Sequence, residues 1–222
     1  MCNMILLNRT QKITKRIYLL SGFILLFAGC LQKDYDYVKT PIDPYVPMTA
    51  WEFIQSRPDE FSLMQEAIAH AGMQDLYNQT TRKYTYLLIN NQGMISFLGI
   101  YGSETAETLD PELIRKMLSY HIIEGDYHAF DKKLPVEPIF VKTLLDGEDG
   151  LLTIKVSKSQ IGQATNQDQI INGNINVNDV GSNGSSPEIL SVTSNILTLS
   201  GPAHVFRKYS YYKRNAAYQP AY

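Results

Sequence analysis

Leu109-Asp110-Pro111-Glu112-Leu113-Ile114-Arg115-Lys116-Met117-Leu118-Ser119-Tyr120-His121-Ile122-Ile123-Glu124-Gly125 holds one complete helix and its exit. Asp110 is an N-cap, Pro111 suits the first turn where no amide partner is needed, and Glu112 places an acid at the positive helix end. Leu113, Ile114, Met117 and Leu118 fall on one side at helical spacing, so the helix is amphipathic. It ends around Tyr120-His121, before Gly125.

Upstream, Tyr84 to Ile89 is rich in β-formers and bounded by polar residues, as a buried strand should be. Phe61, Met64, Ile68 and Ala71 repeat at helical spacing in a helix that starts near Asp59 and stops at Gly72. Before it, Thr49-Ala50-Trp51-Glu52 has the spacing of a capping box, opening a short helix with Trp51 and Ile54 on one face and Pro58 at its end. Downstream the character changes. Ile139 to Leu144, Leu151 to Val156, Gln169 to Asn172, Ile175 to Asn178, Glu188 to Val192 and Asn195 to Val205 are strand-like, and Gly147, Gly150 and Gly173 punctuate them. Helices first and strands later predict an α+β domain with helices packed on an antiparallel or mixed sheet. Gly181 to Ser186 is an Asn/Gly/Ser loop.

Three blocks in this order resemble the fasciclin-like adhesion domain family. Tyr84 through Met94 is similar to its first box, a strand running into a short helix, with Ile89 where the family has proline and Gly93-Met94 where it has alanine-phenylalanine. Leu109 through Gly125 is similar to the central helix with its tyrosine-histidine motif. Leu199 through Phe206 is similar to the closing box, with Ser200 in place of asparagine and an atypical Pro202. The resemblance covers about residues 49–208. It implies a single fasciclin-like domain, its N-terminal helices packed on a β-sheet wedge or sandwich formed largely by the C-terminal half. It also implies a non-enzymatic module for adhesion or for binding a protein or extracellular polymer. Tyr120 and His121 are its candidate binding residues, set against a role closing the helix end. Thr85, Asn91, Gly201 and His204 are structural positions of the motif.

The first thirty residues read as an address. Lys12, Lys15 and Arg16 precede an apolar run, Ile17 to Ala28, too short to span a bilayer as a helix but of the length of a secretory signal. Phe27-Ala28-Gly29-Cys30 resembles a bacterial lipobox, with phenylalanine in place of the usual aliphatic residue. Residues 1–29 are then a lipoprotein signal peptide and Cys30 the lipidated residue, with residues 30–48, carrying Pro41, Pro44 and Pro47, a semi-rigid tether. Leu31 to Asp36, a lysine and acids after the cysteine, resembles a surface-export signal of some Gram-negative bacteria. The expected place is the outer membrane of the cell envelope, surface-exposed or facing the periplasm.

Composition narrows the function classes. The 222 residues are 44% apolar and 19% charged, which excludes a disordered polyelectrolyte, a collagen-like repeat and a polytopic membrane protein. Cys2 and Cys30 are too few for a disulfide framework or a thiolate zinc site. Cleavage before Cys30 would change a net charge of −2 to −6, because Arg9, Lys12, Lys15 and Arg16 go and no acid does. That leaves no basic stripe for nucleic acid.

No metal or other cofactor is expected. His121 and His128 stand seven apart across Gly125, and Asn174-Ile175-Asn176-Val177-Asn178 lacks the acids and glycine of a hand-type calcium loop. The common hydrolase, metalloprotease and phosphate-loop motifs are absent, and Asp146, Glu148 and Asp149 read as a solvated turn. Tyr209, Tyr211, Tyr212, Tyr218 and Tyr222 make residues 209–222 a tyrosine-rich tail, offering contact area for protein or sugar, or an added edge strand. A second reading of the whole is an accessory glycan- or nutrient-binding subunit of an outer-membrane uptake assembly.

Overall fold

A computed structural model describes residues 43–130, 134–156, 173–178 and 188–210. The signal segment, Cys30, the tether up to residue 42, the expected strand at 169–172, the loop at 181–186 and the tail from 211 onward lie outside the described residues.

Five α-helices alternate with the first strand among the described residues. They are α1 Ala50–Gln55, α2 Pro58–His70, α3 Gln74–Asn78, then β1 Tyr84–Ile89, α4 Asn91–Ile100 and α5 Pro111–Tyr120. The remaining strands follow as β2 Ile122–Glu124, β3 Ile139–Lys142, β4 Leu151–Val156, β5 Ile175–Val177, β6 Ile189–Thr198 and β7 Gly201–Phe206. The Thr49–Glu52 capping box is complete, each side chain bonding the other's backbone amide. Pro58 does not close α1 so much as open α2, where its missing N–H costs nothing. Asp110 caps α5 through the Glu112 amide.

The strands form one mixed sheet in the order β2-β1-β7-β6-β5-β4-β3, parallel only between β1 and β7. Its edges meet. Ile123 of β2 bridges Thr143 just past β3, and the Leu144 amide donates to the Ile122 carbonyl at 2.9 Å. The expected wedge or sandwich is therefore, in the described residues, a single sheet rolled nearly into a barrel, because each edge strand finds the other as its partner.

Two cores result. Helices α1, α2, α4 and α5 bury Phe53, Phe61, Met64, Ile68, Met94 and Leu118 against Tyr86 and Leu88 of β1 and Val205 of β7. Alternate residues of the same strands, Leu87 and Phe206, point the other way into the barrel with Val141, Leu152, Ile154, Ile175, Val177 and Ile189. The period of two in β1 and β7 is what makes these central strands serve both cores.

The packed chain extends beyond the expected limits of 49 and 208. Pro44 to Met48 runs beside β6, with the Val46 amide on the Leu197 carbonyl at 2.9 Å and the Leu197 amide on Pro44 at 2.8 Å. At the other end Tyr209 is buried against Phe97, ring centres 5.3 Å apart. No helix among the described residues is long and apolar enough to cross a membrane.

Candidate functional site

Tyr120 and His121 are both 1% exposed. The Tyr120 hydroxyl lies 3.3 Å from the Leu151 carbonyl and from Asn178 Oδ1, and burial raises its pKa to about 12. His121 Nδ1 sits 2.7 Å from the Met117 carbonyl, which can only accept, so the proton is on Nδ1. Its Nε2 then accepts the Ser210 amide at 2.9 Å. Burial lowers its pKa to about 4, so the ring is neutral at pH 7. Both side chains spend their polar atoms inside, tying the end of α5 to the barrel and to the chain after β7, which is the geometry of the helix-closing alternative.

The other motif residues are internal as well. Thr85 Oγ1 donates to the Gly125 carbonyl at 2.9 Å and accepts the Tyr127 amide at 2.8 Å. His204 Nε2–H donates to the Tyr127 carbonyl at 2.9 Å, while Nδ1 accepts the Asn195 amide at 3.0 Å. Its pKa also falls to about 4, through burial first. Asn91 clamps the start of α2, donating to the Asp59 carbonyl and Ser62 Oγ and accepting the Leu63 amide. Gly201 has φ +133°, and a Cβ there would stand 2.0 Å from the Tyr84 carbonyl oxygen, so no other residue fits without moving β1.

Three of these residues, Thr85, Gly201 and His204, shape loops that meet at the Tyr84 end of β1. A groove of about 350 Å³ opens there, lined by Tyr45, the 80–83 loop, Asp126, His128 and the β6–β7 turn. Gln79 builds the 80–83 loop. Its Oε1 accepts the Thr81 and Arg82 amides at 3.0 and 2.7 Å, and its Nε2 donates to the Arg82 carbonyl and to Tyr86 Oη. Ser200 fixes the turn by donating to the Tyr77 carbonyl and accepting the Ala50 amide.

Tyr45 is 70% exposed on the groove's rim, and Leu199 is exposed beside it. Arg82 donates to Tyr84 Oη at 3.1 Å, and neither Arg82 nor Lys83 has a carboxylate partner among the described residues. His128 Nε2 lies 3.8 Å from Asp126, and its buried Nδ1 has no hydrogen-bond partner among the described residues.

Sequence reasoning passed over Gln79, Arg82, Lys83 and Tyr45. A polar loop gives no periodic signal, and Tyr45 reads as tether until Leu197 is seen beside it. Among the described residues no cluster of three or more His, Cys, Asp or Glu could hold a metal ion. Asn176 bonds Glu188, and Asn178 bonds Ser210 and Tyr120, so these two asparagines are joints of the barrel.

Among solved structures, the chain is similar to a FAS1 domain pair from the insect cell adhesion molecule fasciclin I, with a TM-score of 0.52 and 16% identity over 74% of this chain. The fold is fasciclin-like. The chain spans about half the length of that domain pair, 51%. No family model and no curated protein matches the sequence. In this fasciclin-like domain the tyrosine-histidine motif is a joint, and an accessible polar concavity lies instead at the Tyr84 end of β1.

Proposed function

We propose that this chain is a non-enzymatic binding module of the cell envelope, held by acyl chains on Cys30 in the outer membrane of a Gram-negative bacterium and engaging a protein or an extracellular polymer. The observation that carries the reading is the fasciclin-like fold, shared with a domain pair of an adhesion molecule. The mechanism is display. A lipid holds the chain, the proline-containing segment projects it, and a rigid two-core domain presents loops whose backbone is fixed by Gln79, Thr85, Ser200 and His204. Rigid loops suit recognition, because little conformational entropy is lost on binding.

The test uses the full chain in surface-labelled cells. Labelling with an alkynyl fatty acid should mark the wild type and not Cys30→Ala, and capture from labelled envelopes should recover the same partner repeatedly. An unlabelled wild type would remove the anchor, and recovery of nothing beyond control levels would remove the binding role.

A second reading, an accessory glycan-binding subunit of an uptake assembly, draws support from the groove, which is lined by an exposed tyrosine and by two cations without a carboxylate partner among the described residues.

A further inference from the structure

The groove at the Tyr84 end of β1 combines three features that converge on one chemistry. The first is charge. Arg82 and Lys83 are neighbours in sequence, both exposed and both without a carboxylate partner among the described residues, on a chain whose overall charge is −2. The lining also carries one carboxylate, Asp126, 3.8 Å from His128 Nε2, so the two cations outnumber it and the groove favours anions locally.

The second is an aromatic platform. Tyr45 presents most of its ring to solvent at the rim, and it is held there by backbone bonds on both sides, Leu197 to Pro44 and Val46 to Leu197. A tyrosine ring fixed by its backbone offers an apolar face with a polar tip, suited to the C–H face of a sugar.

The third is the exhausted backbone of the groove wall. The Leu197 amide and carbonyl are bonded to Pro44 and Val46, and the Leu199 amide to Met48. Across the hairpin Leu197 and Thr198 pair with Pro202 and Gly201. A peptide would add to such a wall by main-chain pairing, and the Leu197 backbone and the Leu199 amide are already taken among the described residues. Recognition is left to side chains: the hydroxyls of Thr80 and Thr81, the two cations and the Tyr45 ring.

We propose that this groove binds an acidic polysaccharide, with uronate carboxylates on Arg82 and Lys83 and a sugar face on Tyr45. The proposal rests on the binding-module reading and names its partner class. Gln79 is the positioning residue, because its side chain bonds both the amide and the carbonyl of Arg82.

The experiment measures binding of the full chain to polygalacturonate, to the neutral glucan dextran and to polyglutamate, alongside binding to whole bacterial cells. Polygalacturonate should bind in low salt and weaken as salt rises. Arg82→Ala with Lys83→Ala should weaken binding roughly tenfold or more, the size of a lost charge-assisted contact. Tyr45→Ala should weaken it about fivefold, with Tyr45→Phe retaining most of it. Thermal unfolding of each variant, expected to match the wild type because the changed groups are exposed, separates loss of the site from loss of fold. Equal binding of polyglutamate would overturn the proposal in favour of an acidic peptide, and equal binding of dextran would remove the role of the cations. If no polysaccharide binds while whole cells still do, the groove assignment fails and the module reading stands. If neither binds, both fail.

Discussion

The helical core and the barrel core share β1 and β7, yet they are closed by different chemistry. On the helical side, buried apolar side chains meet one another, Thr49, Asn90 and Asp110 cap the helix starts, and Asn91, Arg115 and Ser200 bond between elements near the rim of that core. On the barrel side, buried polar groups join points far apart in sequence: Tyr120 to Asn178, His121 to Ser210, His204 to Tyr127 and Ser191 to Ile175. A helix satisfies its own backbone, whereas a short, irregular barrel leaves ends and bulges that side chains must satisfy. Robustness to acid should therefore differ between the two halves.

The largest expected effect is on pH dependence. His121 and His204 are held neutral with pKa values near 4. The unfolded chain protonates them as pH falls through about 6.5, and the fold does not. Their contribution is full above about pH 6.5 and lost as pH falls toward 4, by about 3 kcal/mol for each ring. Urea midpoints from pH 7 to 4 should fall steeply, and His121→Gln should flatten roughly half of that slope. In hydrogen exchange corrected for intrinsic rates, the Ser210 and Asn195 amides should lose protection before those of α2; simultaneous loss would erase the distinction between the halves.

Next comes the seam between the cores. Gly201→Ala forces a Cβ against the Tyr84 carbonyl at a positive φ, and should cost about 3–4 kcal/mol in denaturant unfolding. A cost under about 1 kcal/mol would mean that β1 can slide on β7.

A smaller effect separates cap from joint. Tyr120→Phe removes a hydroxyl from two acceptors in the barrel and should cost about 1–2 kcal/mol. Asp110→Ala, at an exposed helix start, should cost about 1 kcal/mol.

An effect of similar size lies within the helical side. A Cβ on Gly93 would stand 2.5 Å from Ile89 Cγ2 and 3.1 Å from the Arg207 backbone. Ile89 and Gly93 both depart from the family's pattern, and here one departure makes room for the other. Gly93→Ala should destabilise by about 1–2 kcal/mol, and a cycle with Ile89→Ala should return a favourable coupling of about 1 kcal/mol. Additive costs would show the two departures to be independent.

This contrast also explains what could be read from the sequence. The caps at Thr49 and Asp110, the apolar faces of α2 and α5, and β1 and β4 depend on neighbours within a few residues, and the structure has them. The helix α3 is only five residues and β2 three, too short for periodicity to show. The last hairpin is divided differently: the sequence predicts one piece at 188–192 and another at 195–205, but β6 runs through 189–198 and the turn falls at Leu199-Ser200. The cause is Asn195, at φ +63° beside register shifts that break strict alternation. Tyr120 and His121 were legible as important, but not as internal, because Asn178 and Ser210 lie 58 and 89 residues away. The groove was invisible for the same reason: Tyr45, Arg82 and Leu199 meet only after both cores have closed.

The most direct test sets the two candidate surfaces against each other in one assay, binding of the full chain to whole cells. The account predicts that Tyr120→Phe, a folded variant altered only in the interior, binds as the wild type does, and that Tyr45→Ala combined with Arg82→Ala and Lys83→Ala loses binding while keeping its thermal midpoint. Binding lost in Tyr120→Phe and kept in the groove variant would contradict it.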